Sequence, residues 1–282
     1  MNGTNALGEF LRARRELVRP EDVGIRGVGL RRVPGLRREE VATLAGISSD
    51  YYLRLEQGRD RNPSVQVLEA LAAVLRLDAD ATAHMIALAR ERSSPARATR
   101  KRKPPKPEQV PPSIQQLIDG WTTNPAYVQN KLTTVLAANA LAAALSPNYA
   151  PGVNMLRAVF LDPSERELRR DWAELTEDGV ASLRARVGAD VDDPRLVELV
   201  GELSLRSERF RLLWARHDVH LQTARLSRLR HPLVGDLELQ SNKLAVSGTD
   251  GLTLVVFHAE PGSRSAELLG LLGSLAAGDS AV

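Results

Sequence analysis

The segment Arg38 to Gly58, REEVATLAGISSDYYLRLEQG, constrains the fold of this chain more than any other stretch. It predicts two short helices joined by a tight turn at Gly46, the sequence form of a helix-turn-helix. Ala42 is small, so the second helix can cross close to the first. Gly46 stands where the chain must turn with a positive φ, which glycine adopts at no Cβ cost. Val41, Ala45, Ile47, Tyr52 and Leu55 fall where the two helices bury apolar groups against each other. Ser48 is placed to cap the second helix. The opposite face of that helix is polar, with Ser49, Asp50, Tyr51 and Arg54 directed outward. An ordinary helical hairpin with a solvated face shares part of this pattern. The match runs over about twenty residues, through Leu55-Glu56-Gln57-Gly58, and favours a helix that enters the DNA major groove.

The charge distribution agrees. The net charge is only +3, but residues 1–110 hold 21 Lys and Arg against 14 Asp and Glu, and the remainder 17 against 21. The basic residues sit with the helix-turn-helix, as phosphate contact requires, and the second half is acidic. A length of 282 residues suggests two domains. With no Cys, disulfides, thiol nucleophiles and Cys-ligated metals are excluded. No apolar run of spanning length and no signal-peptide core is present, so the expected location is the cytoplasm, with no membrane partner.

Around the central segment, a first helix is expected over about Leu7 to Leu17. A loop rich in Pro and Gly follows, Val18 to Leu36, with Arg26, Arg31 and Arg32 making it basic. Pro63-Ser64 opens a fourth helix, Val65 to Leu75, and Asp78 a fifth, about Ala79 to Ala89. The Pro-rich, basic stretch Ser93 to Pro112 reads as an extended linker. Its run Arg100-Lys101-Arg102-Lys103 is either a soluble spacer or a second, non-specific DNA contact.

These residues carry a resemblance. Residues 7–89 resemble the XRE (Cro-like) helix-turn-helix family, and Pro34 to Asp78 is similar to actinobacterial regulators in which such a domain precedes an MmyB-like, or MltR-like, ligand-binding domain. The resemblance implies an all-α five-helix Cro-like domain over residues 1–92, a linker over 93–112, and an α+β PAS-like domain over 113–282.

The second half is consistent with that. Short strands are expected over Ala126 to Asn130 and Leu132 to Leu136, then a helix over Ala137 to Leu145. Asp162-Pro163 starts a helix expected to run to about Glu177, with Glu165 completing a capping box, and helix continuing to Val187. Asp193-Pro194 caps another, out to about Leu205. Leu203, Phe210, Leu213, Trp214 and His217 share a face. The period then switches to two at Val219 and Leu221, Leu237 and Leu239, Leu244 and Val246, and Leu252, Leu254 and Val256, with turns at His231-Pro232, Ser241-Asn242 and Gly248 to Gly251: an antiparallel meander. A last helix covers Ser263 to Leu275. The expected sum is one antiparallel sheet with helices on one side. The wording of Pro125-Ala126-Tyr127-Val128, of Phe210, Trp214 and His217-Asp218-Val219, of His231-Pro232, and of Ala259-Glu260-Pro261-Gly262-Ser263 also resembles the MmyB-like family. Leu136-Ala137-Ala138-Asn139 departs from it, because an aromatic usually precedes that Asn; its loss is expected to reshape a cavity beside the sheet.

No catalytic set stands out, and no enzyme activity or cofactor is expected. The five His are scattered, and His217 and His220 lack a third ligand at fixed spacing, so metal binding is not expected. The expected protein is a homodimeric regulator on a near-palindromic operator. Ser48, Ser49, Asp50, Tyr51 and Arg54 would form the reading helix, with Arg37, Arg38 and Arg59 on phosphates. The resemblance further implies that the second domain binds a small hydrophobic molecule, fatty-acid-like. Candidate pocket residues are Tyr127, Leu136, Phe210, Trp214, His217 and Phe257, with core filling the plainer role for Phe210. A dimerisation or docking module without a ligand is the alternative.

Overall fold

The computed structural model describes residues 5–25, 33–60, 62–93, 108–188 and 190–279. The basic run at 100–103 and Arg26, Arg31 and Arg32 lie outside them.

Five helices form the first unit: α1 Ala6–Leu17, α2 Arg38–Leu44, α3 Ser49–Glu56, α4 Val65–Val74 and α5 Ala79–Ser93. Caps fix their starts. Ser48 Oγ accepts from the Tyr51 N–H at 3.1 Å, Ser64 Oγ from Val67 at 3.3 Å, and Asp78 Oδ1 from Ala81 at 2.8 Å. The α2–α3 turn passes through Gly46 at φ 67° with open space around its Cβ position, so conformation alone demands glycine there. Close approach sets the demand at Gly8, where a Cβ would lie 2.1 Å from the Glu56 carbonyl oxygen. Phe10, Leu11, Leu36, Val41, Tyr52, Leu55, Leu71, Leu75 and Met85 fill the core.

The second unit opens with α6 Pro112–Asp119, β1 Ala126–Gln129, β2 Val135–Ala138, α7 Ala140–Leu145, α8 Met155–Leu161, α9 Pro163–Leu168, α10 Trp172–Val187, α11 Pro194–Arg206 and α12 Glu208–Ala215. β3 Ala224–His231, β4 Gly235–Ala245, β5 Thr253–His258 and α13 Arg264–Asp279 complete it. The five strands form one antiparallel sheet of order β2-β1-β5-β4-β3.

Several expectations need correction. The helix from Asp162 stops at Leu168 rather than near Glu177: Arg169 bridges to Leu229 of β3, which breaks the helix before α10. Glu165 does not complete a capping box; it is buried, accepting from Ser146 Oγ and, at 3.1 Å, from Arg169 Nε. Val219 and Leu221 form no strand, because Val219 is buried in the core of the first unit. Ser241-Asn242 is no turn but the middle of β4, where Ser241 pairs with Arg225 and Phe257, and Asn242 with Ala224 and Val256.

Helices cover both faces of the sheet rather than one. α6 packs with Ala126, Val128, Ala137, Leu252 and Leu254, while Tyr127, Val255, Phe257, Leu237 and Leu239 face the remaining core. Asn139 ties this arrangement together. Its Oδ1 accepts from the Ala126 and Ala142 N–H groups, and its Nδ2 donates to the carbonyls of Ile118, Trp121 and Asn124.

Candidate nucleic-acid interface and ligand cavities

The outer face of α3 is free. Ser48, Ser49, Asp50 and Arg54 are exposed, as are Arg37, Arg38 and Arg59 beside them. Tyr51 is half-buried, with the Arg54 guanidinium 5.8 Å from its ring centroid. Arg54 pairs with Asp50 one turn earlier, so an exposed, weakly held ion pair occupies the middle of this surface.

Arg38 has a second role. Its Nε donates to Glu56 Oε2 at 2.6 Å, while Arg15 Nε donates to Glu56 Oε1 at 2.7 Å and Arg15 Nη1 to the Leu36 carbonyl at 2.8 Å. Burial alone would raise the Glu56 carboxyl, but the hydrogen bonds and charges of Arg15 and Arg38 outweigh it and hold it below its ordinary value. Burial likewise works against the Arg15 cation, and Glu56 more than offsets it. This triad, buried at Arg15 and Glu56, fastens α1 and the start of α2 to the end of α3.

Between the sheet and α8–α10 lies a cup of about 90 Å³. Tyr127 of β1 stacks on Tyr149 at 4.6 Å, and Phe257 of β5 sits 5.6 Å from Tyr149, so one end is aromatic. Its cationic lining is Arg169, which reaches the Tyr149 hydroxyl, with Arg186, Arg225 and Lys243. Two of these are answered. Arg169 is held by Glu165 and Tyr149, and Arg225 by Asp171 at 2.7 Å and Asp178 at 2.6 Å. Arg186 and Lys243 have no ion pair among the described residues, and the buried Arg186 Nε has no hydrogen-bond partner. Burial, reinforced by the neighbouring Arg186, pushes the Lys243 ammonium down to about 8.

A second cavity, of about 370 Å³, lies in the seam between the two units. Arg14 Nη1 donates to Asp218 Oδ1 at 2.6 Å across this seam, and the Leu221 N–H to Asp80 Oδ2 at 2.9 Å. Phe10 meets His217 edge-on, 6.3 Å between centroids.

Residues 6–85 match a helix-turn-helix domain, and residues 110–272, over half of the chain, match the MmyB-like transcription regulator ligand binding domain. The chain belongs to the MmyB-like transcription regulators. No curated protein matches it. The regulator is thus a helix-turn-helix head joined to a ligand-binding domain, and no described helix is long and apolar enough to cross a membrane.

The six pocket candidates separate into four places. Tyr127 and Phe257 line the cup, and Trp214 and His217 line the seam cavity. Leu136 packs on the α6 side of the sheet, away from the cup. Phe210 is fully buried against Phe160 and Trp214 and lines neither cavity. The histidines serve structure: His231 contacts the Ala144 carbonyl, His220 Nε2 lies 3.1 Å from Asp178, and His258 contacts Asn242. No cluster of three possible metal ligands occurs among the described residues.

Lys243 escapes a sequence reading until the sheet faces are assigned. The apolar alternation Leu244, Val246, Leu252, Leu254, Val256 marks the outer sheet face, toward α6. Lys243, paired with Val255, therefore belongs to the inner one. That signal is present in the strand period once the face is assigned.

Proposed function

We propose that this protein is a cytoplasmic, non-enzymatic, homodimeric regulator that reads a near-palindromic operator with α3 and responds to a small acid held in the cup. Residues 1–92 are the DNA-binding domain, 93–112 the linker and 113–282 the sensor. In a dimer the two α3 helices enter successive major grooves about 34 Å apart. Arg54 exchanges Asp50 for a guanine edge, while Ser48, Ser49, Asp50 and Tyr51 line the same surface and Arg37, Arg38 and Arg59 meet phosphates. Leu205 and Leu212, 87% and 60% exposed on the adjacent helices α11 and α12, offer apolar surface to a second copy.

The observation that carries the ligand reading is a pair of cations without an ion pair among the described residues, Lys243 on the inner sheet face and Arg186 on α10. A fatty-acid-like molecule supplies the needed features, an acid for Arg186 and Lys243 and an apolar part for Tyr127, Tyr149 and Phe257. The size of the cup favours a compact member of that class. For the head, the test is operator binding by Arg54→Ala. A loss of about 1–3 kcal/mol together with relaxed preference at one base pair is expected. Unchanged affinity and preference would remove α3 as the reading helix.

A further inference from the structure

The seam cavity is four times the volume of the cup and differs from it in chemistry. The head contributes Leu88 and His84; the sensor contributes Val187, Leu196, Val197 and Val200. Its walls are therefore mostly aliphatic, and its size falls in the range of ordinary small-molecule sites. The surrounding contacts are specific: the Arg14–Asp218 pair, the Asp80 cap on Leu221, and Val219 sunk in the head's core.

Among the described residues lining this apolar space, Arg184 is the buried charged group and Glu9 the exposed one. Arg184 of α10 is 7% exposed and lies 3.9 Å over the Trp214 ring centroid, donating from Nη2 to the Trp214 carbonyl at 2.6 Å. Its buried Nε has no partner, and no carboxylate pairs with it among the described residues. Asp218 is engaged by Arg14 and by Arg216 at 2.8 Å, and Glu9 stands exposed at the rim. Burial pushes the Arg184 guanidinium down to about 10, so it stays cationic at neutral pH. His84 and His217, pushed down by burial to about 4 and about 3, are neutral there, and His84 Nδ1 is buried without a partner. Asp218 and Glu9 favour the Arg184 cation only from a distance, so the wall holds one buried cation without a directly paired carboxylate among the described residues, a costly arrangement that a bound anion relieves.

We infer that the seam is a second ligand site, taking an apolar monocarboxylic acid whose chain lies among the aliphatic walls and whose carboxylate meets Arg184. This site is distinct from the cup, and the inference stands whatever the cup holds. Its occupant touches α1 and α5 of the head and α10, α11 and α12 of the sensor, so binding there bears directly on how the head is held.

Calorimetry on the full chain tests this, with decanoate as the probe and decanol as its uncharged counterpart. Gly201 lines the cavity, and a Cβ there would meet nothing within 4 Å, so Gly201→Leu fills the space inside a helix that favours the change. Decanoate is expected to bind the wild type more tightly than decanol, to weaken at least tenfold in Gly201→Leu, and to bind Lys243→Met, altered outside the seam, as it binds the wild type. Should Gly201→Leu melt earlier than wild type, Val197→Trp fills the same cavity from a neighbouring position. No decanoate binding, unchanged binding in both filled variants, or loss confined to Lys243→Met would each overturn the inference, the last by moving the acid out of the seam to the cavities that Lys243 lines.

Discussion

Glu56 shows how much a single side chain contributes to the head. It sits at the end of the reading helix with a 3% exposed side chain, between a buried Arg15 and a half-exposed Arg38. Glu56→Ala leaves Arg15 buried and without its partner, so a loss of about 3–5 kcal/mol is expected in urea denaturation. The pH dependence has a definite sign. The Glu56 carboxyl lies below its unfolded value, so its stabilisation is present above about pH 4.5 and disappears as pH falls through the folded value. Arg38, expected from sequence to hold phosphate, keeps this structural bond as well, so Arg38→Ala should lower both melting temperature and operator affinity. Arg59 has no such tie among the described residues. Arg59→Ala should weaken all DNA sequences about equally and reduce the slope of log affinity against log salt by about 1, measured by titration at several salt concentrations.

At the scale of elements, β4 and the α5–α12 junction carry the informative charges. On β4, Lys243 faces Arg186 and Asp178 of α10 and Arg225 of β3, and its cation is disfavoured. Its folded pKa of about 8 lies below the ordinary Lys value of 10.5, so the unfolded chain binds more protons between those values and stability rises across that window. Lys243→Met should raise the thermal stability of the ligand-free protein at pH 7, by about 1 kcal/mol, while removing its response to an acid in the cup. At the junction, His84 on α5 and His217 after α12 face Arg184 of α10, Arg14 and Phe10 of α1, and each other. Both are neutral when folded, and both protonate near pH 6.5 when released. The seam should therefore loosen as pH falls from about 6.5 toward 4, seen as faster amide exchange in α1 and α5; exchange that is flat over this range would contradict the assignment.

For the whole molecule, what the sequence made legible and what it hid follow from the range of the interactions. The turn at Gly46, the caps at Ser48, Ser64, Asp162 and Asp193, and the strand period are local signals, and they placed the head and the sheet. Arg15–Glu56, Arg14–Asp218 and the burial of Val219 in the head join residues far apart in the chain, and no local period announces them. The same limit split the pocket candidates: Trp214 and Phe210 share a helix with stacked rings, yet only Trp214 reaches a cavity. The consequence is a head that is clasped to the sensor. In such an arrangement the sensor's state is transmitted as a change in how the head is held, a coupling typically worth 5–150-fold in affinity. The most direct measurement is the operator affinity of Asp218→Asn in the full chain, since Asp218 lies in the clasp and outside the α3 surface. A change of at least fivefold with the fold intact is predicted; affinity equal to wild type would show that the clasp does not govern the head.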